Sequence, residues 1–483
     1  MKRYRYFCFL SFLLTALTTT AQTIYKDYEV DSAAIPRGGL PMLEKFISVN
    51  RRVPYSAEVS KTKGIVILSA VIEPNGTVSG VKPLRSLTPD CDREAVRVFS
   101  AFRAWKPALK AGQPVRQELS YTIRFAPSLA DAKPDRKVQY FDKKGALTTD
   151  EANADYQFIT FVDSLGYPNA DPVIYRKAGK NWKEFERYRL KREPFTHQNN
   201  NDPTLPDSLE AYRLEISDGN NTVEETQYSF FADGTPLSTI AYFNGKVKHP
   251  SRYYFRNGIV RELEEAVDEN KTEEWLWHPN GQLRQIALRD LSPEATVRFR
   301  LLSQWDSLGR PTVVDGNGQA LFESGTRTRK LLETGAVKNG VKDGEWTGRR
   351  ENGELAYRET YENGKCLSGK SYTEKGDVLT YTEPEINPEF KGGMSALGQF
   401  LASNIRYPSD AARAKVQGKV IVSFVVGKEG TVENAKVVKG IGYGADEEAL
   451  RVVKATSGKW KPGVHRGQAI RVKYMMPINF AIQ

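Results

Sequence analysis

The sequence predicts an α+β protein, with two small α+β domains, each built on a three-stranded antiparallel sheet, flanking a central all-β meander of hairpin repeats. Three observations predict this. A block of about ninety residues near the N-terminus recurs at the C-terminus. Between the two copies, aromatic residues fall again and again just before a polar-Gly turn. The chain has 483 residues, which at roughly 150 residues per domain calls for about three domains.

Residues 1–22 come first in the chain. Lys2, Arg3 and Arg5 precede an apolar stretch from Phe7 to Leu17, and Thr19-Thr20-Ala21 offers small residues before Gln22. This is the layout of a secretory signal peptide over residues 1–21. The stretch is short for the roughly twenty residues that span a bilayer, so cleavage is expected, with an uncleaved anchor as the alternative. Cleavage would place the chain in an oxidising compartment outside the cytosol. Cys8 lies inside the apolar stretch, so no lipoprotein site is read there. Cys91 and Cys366 fall in different predicted domains and are expected to be unpaired, partly buried thiols.

The duplication fixes the two end domains. Gly38-Gly39 reappear as Gly392-Gly393, 354 positions on, and the same offset relates Phe46 to Phe400, Pro54 to Pro408, Gly64 to Gly418 and Gly76-Thr77-Val78 to Gly430-Thr431-Val432. After a one-residue insertion, Trp105-Lys106-Pro107 matches Trp460-Lys461-Pro462, and Gly112-Gln113, Arg116 and Phe125 match Gly467-Gln468, Arg471 and Phe480. Apolar spacing predicts short helices at 42–50 and 397–404. Pro408 stops the second of these, and Ser409 or Asp410 is a candidate cap for a helix at 411–414. The β-branched run 419–426, the turn at Glu429-Gly430 and the run 432–438 predict two strands. A helix over 446–455 follows, then a last strand over 469–482 with Ile470, Val472, Tyr474 and Met476 on one face.

The run Pro388-Glu389-Phe390-Lys391-Gly392-Gly393, with Asn404-Ile405-Arg406-Tyr407-Pro408, Gly430-Thr431-Val432 and Trp460-Lys461-Pro462-Gly463, resembles the C-terminal domain of TonB energy transducers in the form common in Bacteroidetes. The resemblance covers 385–483. Residues 36–127 resemble the same domain in degenerate form, with Val53 where Tyr407 stands in the other copy.

The middle, 135–382, holds Phe231-Ala232-Asp233-Gly234, Tyr242-Phe243-Asn244-Gly245, Phe255-Arg256-Asn257-Gly258, Trp277-His278-Pro279-Asn280-Gly281 and Tyr361-Glu362-Asn363-Gly364. Asn-Gly and Asp-Gly suit tight hairpins in which both turn residues take positive φ. About eight residues lie between turns, enough for one strand each, so an extended single-layer sheet is expected. Gly340-Val341-Lys342-Asp343-Gly344-Glu345-Trp346 and the Tyr-Glu-Asn-Gly turn resemble MORN-type, YwqK-like repeats. Two uses of the aromatics stay open, packing of the sheet and a ligand-binding strip. His197 to Pro203 reads as a polar loop, and 128–137 and 383–388 read as linkers.

Composition excludes several classes. The net charge of +11 is spread thinly, with no basic run, so nucleic acid is not an expected partner. The four histidines are scattered, and no nucleophile elbow or phosphate loop occurs, so neither an enzyme nor a metal or cofactor is expected. Glu264-Glu265 and Glu273-Glu274 read as a solvated face, and Asp315-Gly316-Asn317-Gly318 as a turn that lacks the later ligand of a calcium loop.

The resemblance to TonB implies binding through backbone. The domain would pair a sheet edge with an extended segment of an outer-membrane TonB-dependent receptor, the TonB box, by strand addition. Carried over by position, the receiving edge is Arg471, Val472, Lys473, Tyr474, Met475 and Met476, with the Arg406, Tyr407, Pro408 corner beside it. Bland readings stand next to these, namely core packing for Val472, Tyr474 and Met476 and a helix stop for Tyr407-Pro408. A retained N-terminus would add inner-membrane proton-channel proteins as partners, and the exposed edges leave a homodimer open. Against a complete transducer, the proline count of 25 offers no proline-rich span. A periplasmic scaffold without energy transduction is therefore the rival reading.

Overall fold

The computed structural model describes residues 23–481 apart from 130, 200–204, 207, 218–225, 244–245 and 325–329. The signal-peptide reading of 1–21 and the Asn244-Gly245 turn lie outside the described residues. Strands take 52% of the described residues and helices 14%, so these are mostly β, because one long central sheet outweighs the two end domains.

The first copy begins with β1 (Ile24–Tyr25), followed by α1 (Leu40–Asn50), α2 (Tyr55–Val59), β2 (Gly64–Ile72), β3 (Val78–Arg85), α3 (Pro89–Ala101) and β4 (Gln113–Phe125). β4 pairs with β2, and β2 with β3, both antiparallel. Leu43, Phe46, Val98, Phe99, Phe102 and Phe125 fill the space between sheet and helices. The three-stranded expectation fails here. β1 lies parallel on the outer edge of β4, and Ala108–Lys110 folds back on the start of β4, giving five strands.

Gly76 and Gly430 explain the most specific part of the duplication. Both take positive φ, +79° and +75°. A Cβ would lie 2.4 Å from the Trp105 carbonyl oxygen at Gly76 and 2.1 Å from that of Trp460 at Gly430. Only glycine fits this approach, so Gly-Thr-Val and Trp-Lys-Pro recur together.

The middle holds two sheets rather than one. Six strands span 131–187, and sixteen strands from Arg189 to Tyr381 pair in strict chain order as one antiparallel meander. Four consecutive strands matter below: β5 (Lys246–Tyr254), β6 (Val260–Ala266), β7 (Lys271–Trp277) and β8 (Leu283–Asp290). The hairpins depart from the predicted turn. At Asn363-Gly364 both residues have positive φ, but at Asp233-Gly234, Asn257-Gly258 and Asn280-Gly281 only the glycine does. There the Asp or Asn side chain accepts the backbone N–H two residues on, and the register shifts by a bulge beside the turn.

Neither linker survives. Asp131–Lys133 and Arg136–Phe141 are strands, and the buried Glu58 carboxylate accepts the backbone N–H of Ser128 at 2.8 Å and of Leu129 at 2.9 Å. Glu385–Ile386 is likewise a strand, paired with Gly463–His465. His197 and Gln198 end a strand rather than open a loop.

The first copy shares its core with the long sheet. Phe255, Leu263, Trp277 and Leu283 join the cluster around Phe46 and Phe102. Lys45 pairs with Glu265 at 2.9 Å and lies 4.3 Å from the Trp275 ring centre. Trp277 is 2% exposed, and Trp277→Ala is expected to cost about 3–5 kcal/mol, read as a drop in the denaturant midpoint.

The terminal copy comprises α4 (Gly393–Asn404), α5 (Ser409–Arg413), β9 (Gly418–Val426), β10 (Val432–Lys439), α6 (Ala445–Lys454) and β11 (Val472–Phe480). Its main sheet has three strands in the order β10-β9-β11, all antiparallel. Pro408 is the residue before α5, with no side-chain cap, and Ser409 and Asp410 lie inside the helix. The predicted last strand over 469–482 is broken near its start, since Gln468–Ile470 pairs with Gly463–His465 and β11 starts after Arg471.

Candidate partner-binding edge

β11 pairs with β9 along its whole length, from Gly418 opposite Phe480 to Val426 opposite Val472. Among the described residues its other edge has no partner. The strand alternates cleanly: Met476, Ile478 and Phe480 are buried, Val472 and Tyr474 half-buried, and Lys473, Met475, Pro477 and Asn479 exposed. Tyr474 packs its ring 5.1 Å from Trp460 and 5.6 Å from Phe424. Val472, Tyr474 and Met476 therefore serve the core face with their side chains, and the parity set by Pro477 turns their backbone N–H and C=O towards β9, so they offer nothing to a strand on the outer edge.

Pro477 stands inside β11, opposite Ile421. Proline sits in a strand only where its nitrogen faces away from the ladder. Residues two and four positions earlier turn the same way, so Met475 and Lys473 present free N–H groups outward. The edge thus offers alternating donors and acceptors, a cation at Lys473 and an apolar side chain at Met475, 54% exposed.

The corner residues do not lie beside Arg471–Met476. The Tyr407 ring meets Phe480 at 5.9 Å, and its hydroxyl donates to the Val416 carbonyl at 2.5 Å. That is the far end of β11, about 25 Å from Val472 at the rise of a strand. Arg406 uses its backbone N–H, which donates to Glu448 at 2.6 Å, while its side chain is exposed. Arg451 completes the corner, bridging Glu448 and the Asn404 carbonyl. Its guanidinium holds the Glu448 carboxyl below the usual carboxylate range. The first copy repeats this with Arg52, Glu94, Arg97 and Asn50, so the corner is part of the domain frame. Arg471 pairs with Glu433 at 2.5 Å.

The equivalent edge in the first copy is partly taken. β1 lies parallel to β4, with Ile24 opposite Arg116 and Tyr25 opposite Gln117. By the duplication these positions match Arg471 and Val472. Lys110 sits 4.2 Å over the Tyr25 ring, Lys26 pairs with Glu118, and Ala34 N–H donates to Gln117 at 2.6 Å. In the terminal copy the matching upstream residues belong to the last strand of the long sheet, Val378–Tyr381, which leaves the start of β11 open.

Sequence reasoning missed Arg466, which fixes the terminal copy to the long sheet. Its guanidinium donates to Glu333 at 2.8 Å and Glu359 at 2.9 Å and stacks 3.5 Å from the Tyr357 ring centre. Tyr357 donates to Glu333, and Tyr361 and Tyr381 donate to Glu359 at 2.9 and 2.8 Å. Glu359 is fully buried. A comparison of the copies carries the signal: both turns are left-handed here, at φ +50° for Ala111 and +48° for Arg466, yet only one holds a charge.

Among the described residues no helix is long and apolar enough to cross a membrane. Cys91 and Cys366 are buried and form no disulfide with each other. No curated protein matches the chain. A solved structure, the crystal structure of BBS1N in complex with ARL6DN soaked with lead, aligns at 10% identity over 56% of this chain and 85% of that one. Its TM-score of 0.13 carries no fold argument. The model of the Gram-negative bacterial TonB protein C-terminal domain matches twice, at 50–127 and 403–482. The chain therefore carries two domains of the TonB C-terminal family, one over 50–127 and one over 403–482.

Proposed function

We propose that the protein binds outer-membrane TonB-dependent transporters in the cell envelope, taking the TonB box as an added strand on β11, in energy-dependent uptake. The observation that carries this is the unpaired outer edge of β11, the start of whose counterpart in the first copy is already occupied by β1. An extended peptide needs only main-chain groups to extend a sheet. The parallel β1 is an internal precedent for an added strand at these positions. Homodimerisation through β11 would compete for the same edge.

Titrating the full chain with a fluorescent TonB-box peptide is expected to give one peptide per chain by anisotropy. Removing residues 23–27 uncovers the first copy's edge and is expected to raise the stoichiometry towards two. An unchanged stoichiometry would mean that the first copy does not receive a strand even when open.

A second reading is favoured by the way both end domains dock on one long sheet, the first through the shared core on its middle strands and the terminal copy through Arg466 near its last strands. Such a frame suits a periplasmic scaffold without energy transduction. N-terminal sequencing from the native host separates the two: Gln22 as the first residue removes an anchored motor protein and leaves binding alone.

A further inference from the structure

The paired glutamates do not form the solvated face expected of them. On β6 and β7, Leu263 and Trp275 face the first copy, so Glu262, Glu264 and Glu274 point to the opposite side of the sheet. Register places Ser251 of β5 opposite Glu264, and Glu264 opposite Glu274. The three form one row across adjacent strands, with Glu262 two residues along. Carboxylate oxygens of Glu262, Glu264 and Glu274 lie within 4.8 Å of one another. Two oxygens bound to one calcium ion at 2.3–2.6 Å are at most about 5 Å apart, so one ion can touch all three.

The surroundings satisfy these groups only in part. Glu274 is 3% exposed and Ser251 fully buried. Ser251 Oγ, on the same row and face as Glu264, has no hydrogen-bond partner among the described residues, nor has His249 Nδ1, whose Nε2 lies 3.3 Å from Thr272 Oγ1. Two guanidiniums stand at the rim: Arg289 reaches Glu274 at 2.6 Å, and Arg261 lies 3.6 Å from Glu262. Gln285 donates to Glu274 at 3.1 Å. Glu264 has no ion pair among the described residues, so three carboxylates face two guanidiniums and one charge is left over.

We propose that Glu262, Glu264 and Glu274, with Ser251 Oγ, hold a calcium-class divalent cation within the long sheet. All the ligands are oxygens, the class a hard cation takes, and a set dominated by protein groups suits calcium over magnesium, which keeps its waters. The ion would tie β5, β6 and β7 together on the side of the sheet away from the first copy.

The test is calorimetric titration of the chelator-treated full chain with calcium chloride, alongside thermal unfolding. The expected result is one calcium per chain, a rise in melting temperature with calcium, and much weaker uptake of magnesium. Glu264→Gln is expected to weaken calcium binding at least tenfold without lowering the melting temperature of the chelated protein. No calcium uptake, equal uptake of magnesium, or undiminished binding in Glu264→Gln would overturn the site. Should that variant fail to fold, terbium emission decides. Tyr253 stands opposite Glu262, so sensitised emission should be lost in Tyr253→Phe, and emission that survives there would place the ion elsewhere.

Discussion

Replacing Arg466 with alanine is expected to cost about 3–5 kcal/mol, because it leaves a fully buried carboxylate without its cation. Glu359 is 0% exposed, and Glu333 and Arg466 keep only about 15% and 14% of their side-chain surface. Lysine should not restore the loss, since a point charge cannot serve two carboxylates and stack on Tyr357 at once. Burial alone would raise the Glu333 pKa. The Tyr357 hydroxyl and the charges of Lys342 and Arg466 more than reverse that and hold it below the ordinary carboxylate value. A lowered folded-state pKa contributes stability that is present above the ordinary carboxylate range and is lost as pH falls through the folded value. Hydrogen exchange on the intact chain should therefore show 463–470 and 355–381 losing protection together, in Arg466→Ala at neutral pH and in the wild type only on strong acidification. Protection lost in one segment without the other would mean that the ion pairs do not couple them.

Gly430→Ala is expected to cost about 2–4 kcal/mol and to unfold the terminal copy first. An alanine at φ +75° pays roughly 1–2 kcal/mol for the left-handed conformation alone. The added Cβ, 2.1 Å from the Trp460 carbonyl oxygen, then forces the turn away from the strand that leads to the Trp460 ring. Gly76→Ala should do the same to the first copy, where the approach is 2.4 Å. Gly353→Ala is the control: its φ is +84° but nothing lies within 4 Å of the new Cβ, so only the conformational cost remains. Denaturant midpoints of the three variants give the comparison, and equal losses at all three would remove the packing argument.

The duplication was legible because its marks are steric. A glycine packed on a tryptophan carbonyl tolerates nothing else, so Gly76 and Gly430 keep their tryptophans in both copies. The alternation of β11 was legible for the same kind of reason, one face being packed on Trp460 and Phe424. What escaped the sequence depends on neighbours far along the chain. Ile24-Tyr25 is too short to show a strand pattern, and only β4 gives it one. Glu264 and Glu274 look solvated because charged residues alternate with apolar ones, but the residues beside them are half-buried or buried as well. The Arg406-Tyr407-Pro408 corner was assigned to the edge by position, yet Tyr407 packs on Phe480 at the opposite end of the strand. Nor does anything local to Arg466 mark its reach to Glu333 and Glu359, more than a hundred residues away.

In the function proposed above, strand addition at the outer edge of β11 acts through main-chain hydrogen bonds. Its most direct test is the affinity of a TonB-box peptide for the full chain and for Met475→Pro. Proline at 475 removes an outward donor and leaves the ladder to β9 intact, so the melting temperature should change little. Binding is expected to be at least tenfold weaker in Met475→Pro than in the wild type. Equal affinity in a folded Met475→Pro protein would contradict it.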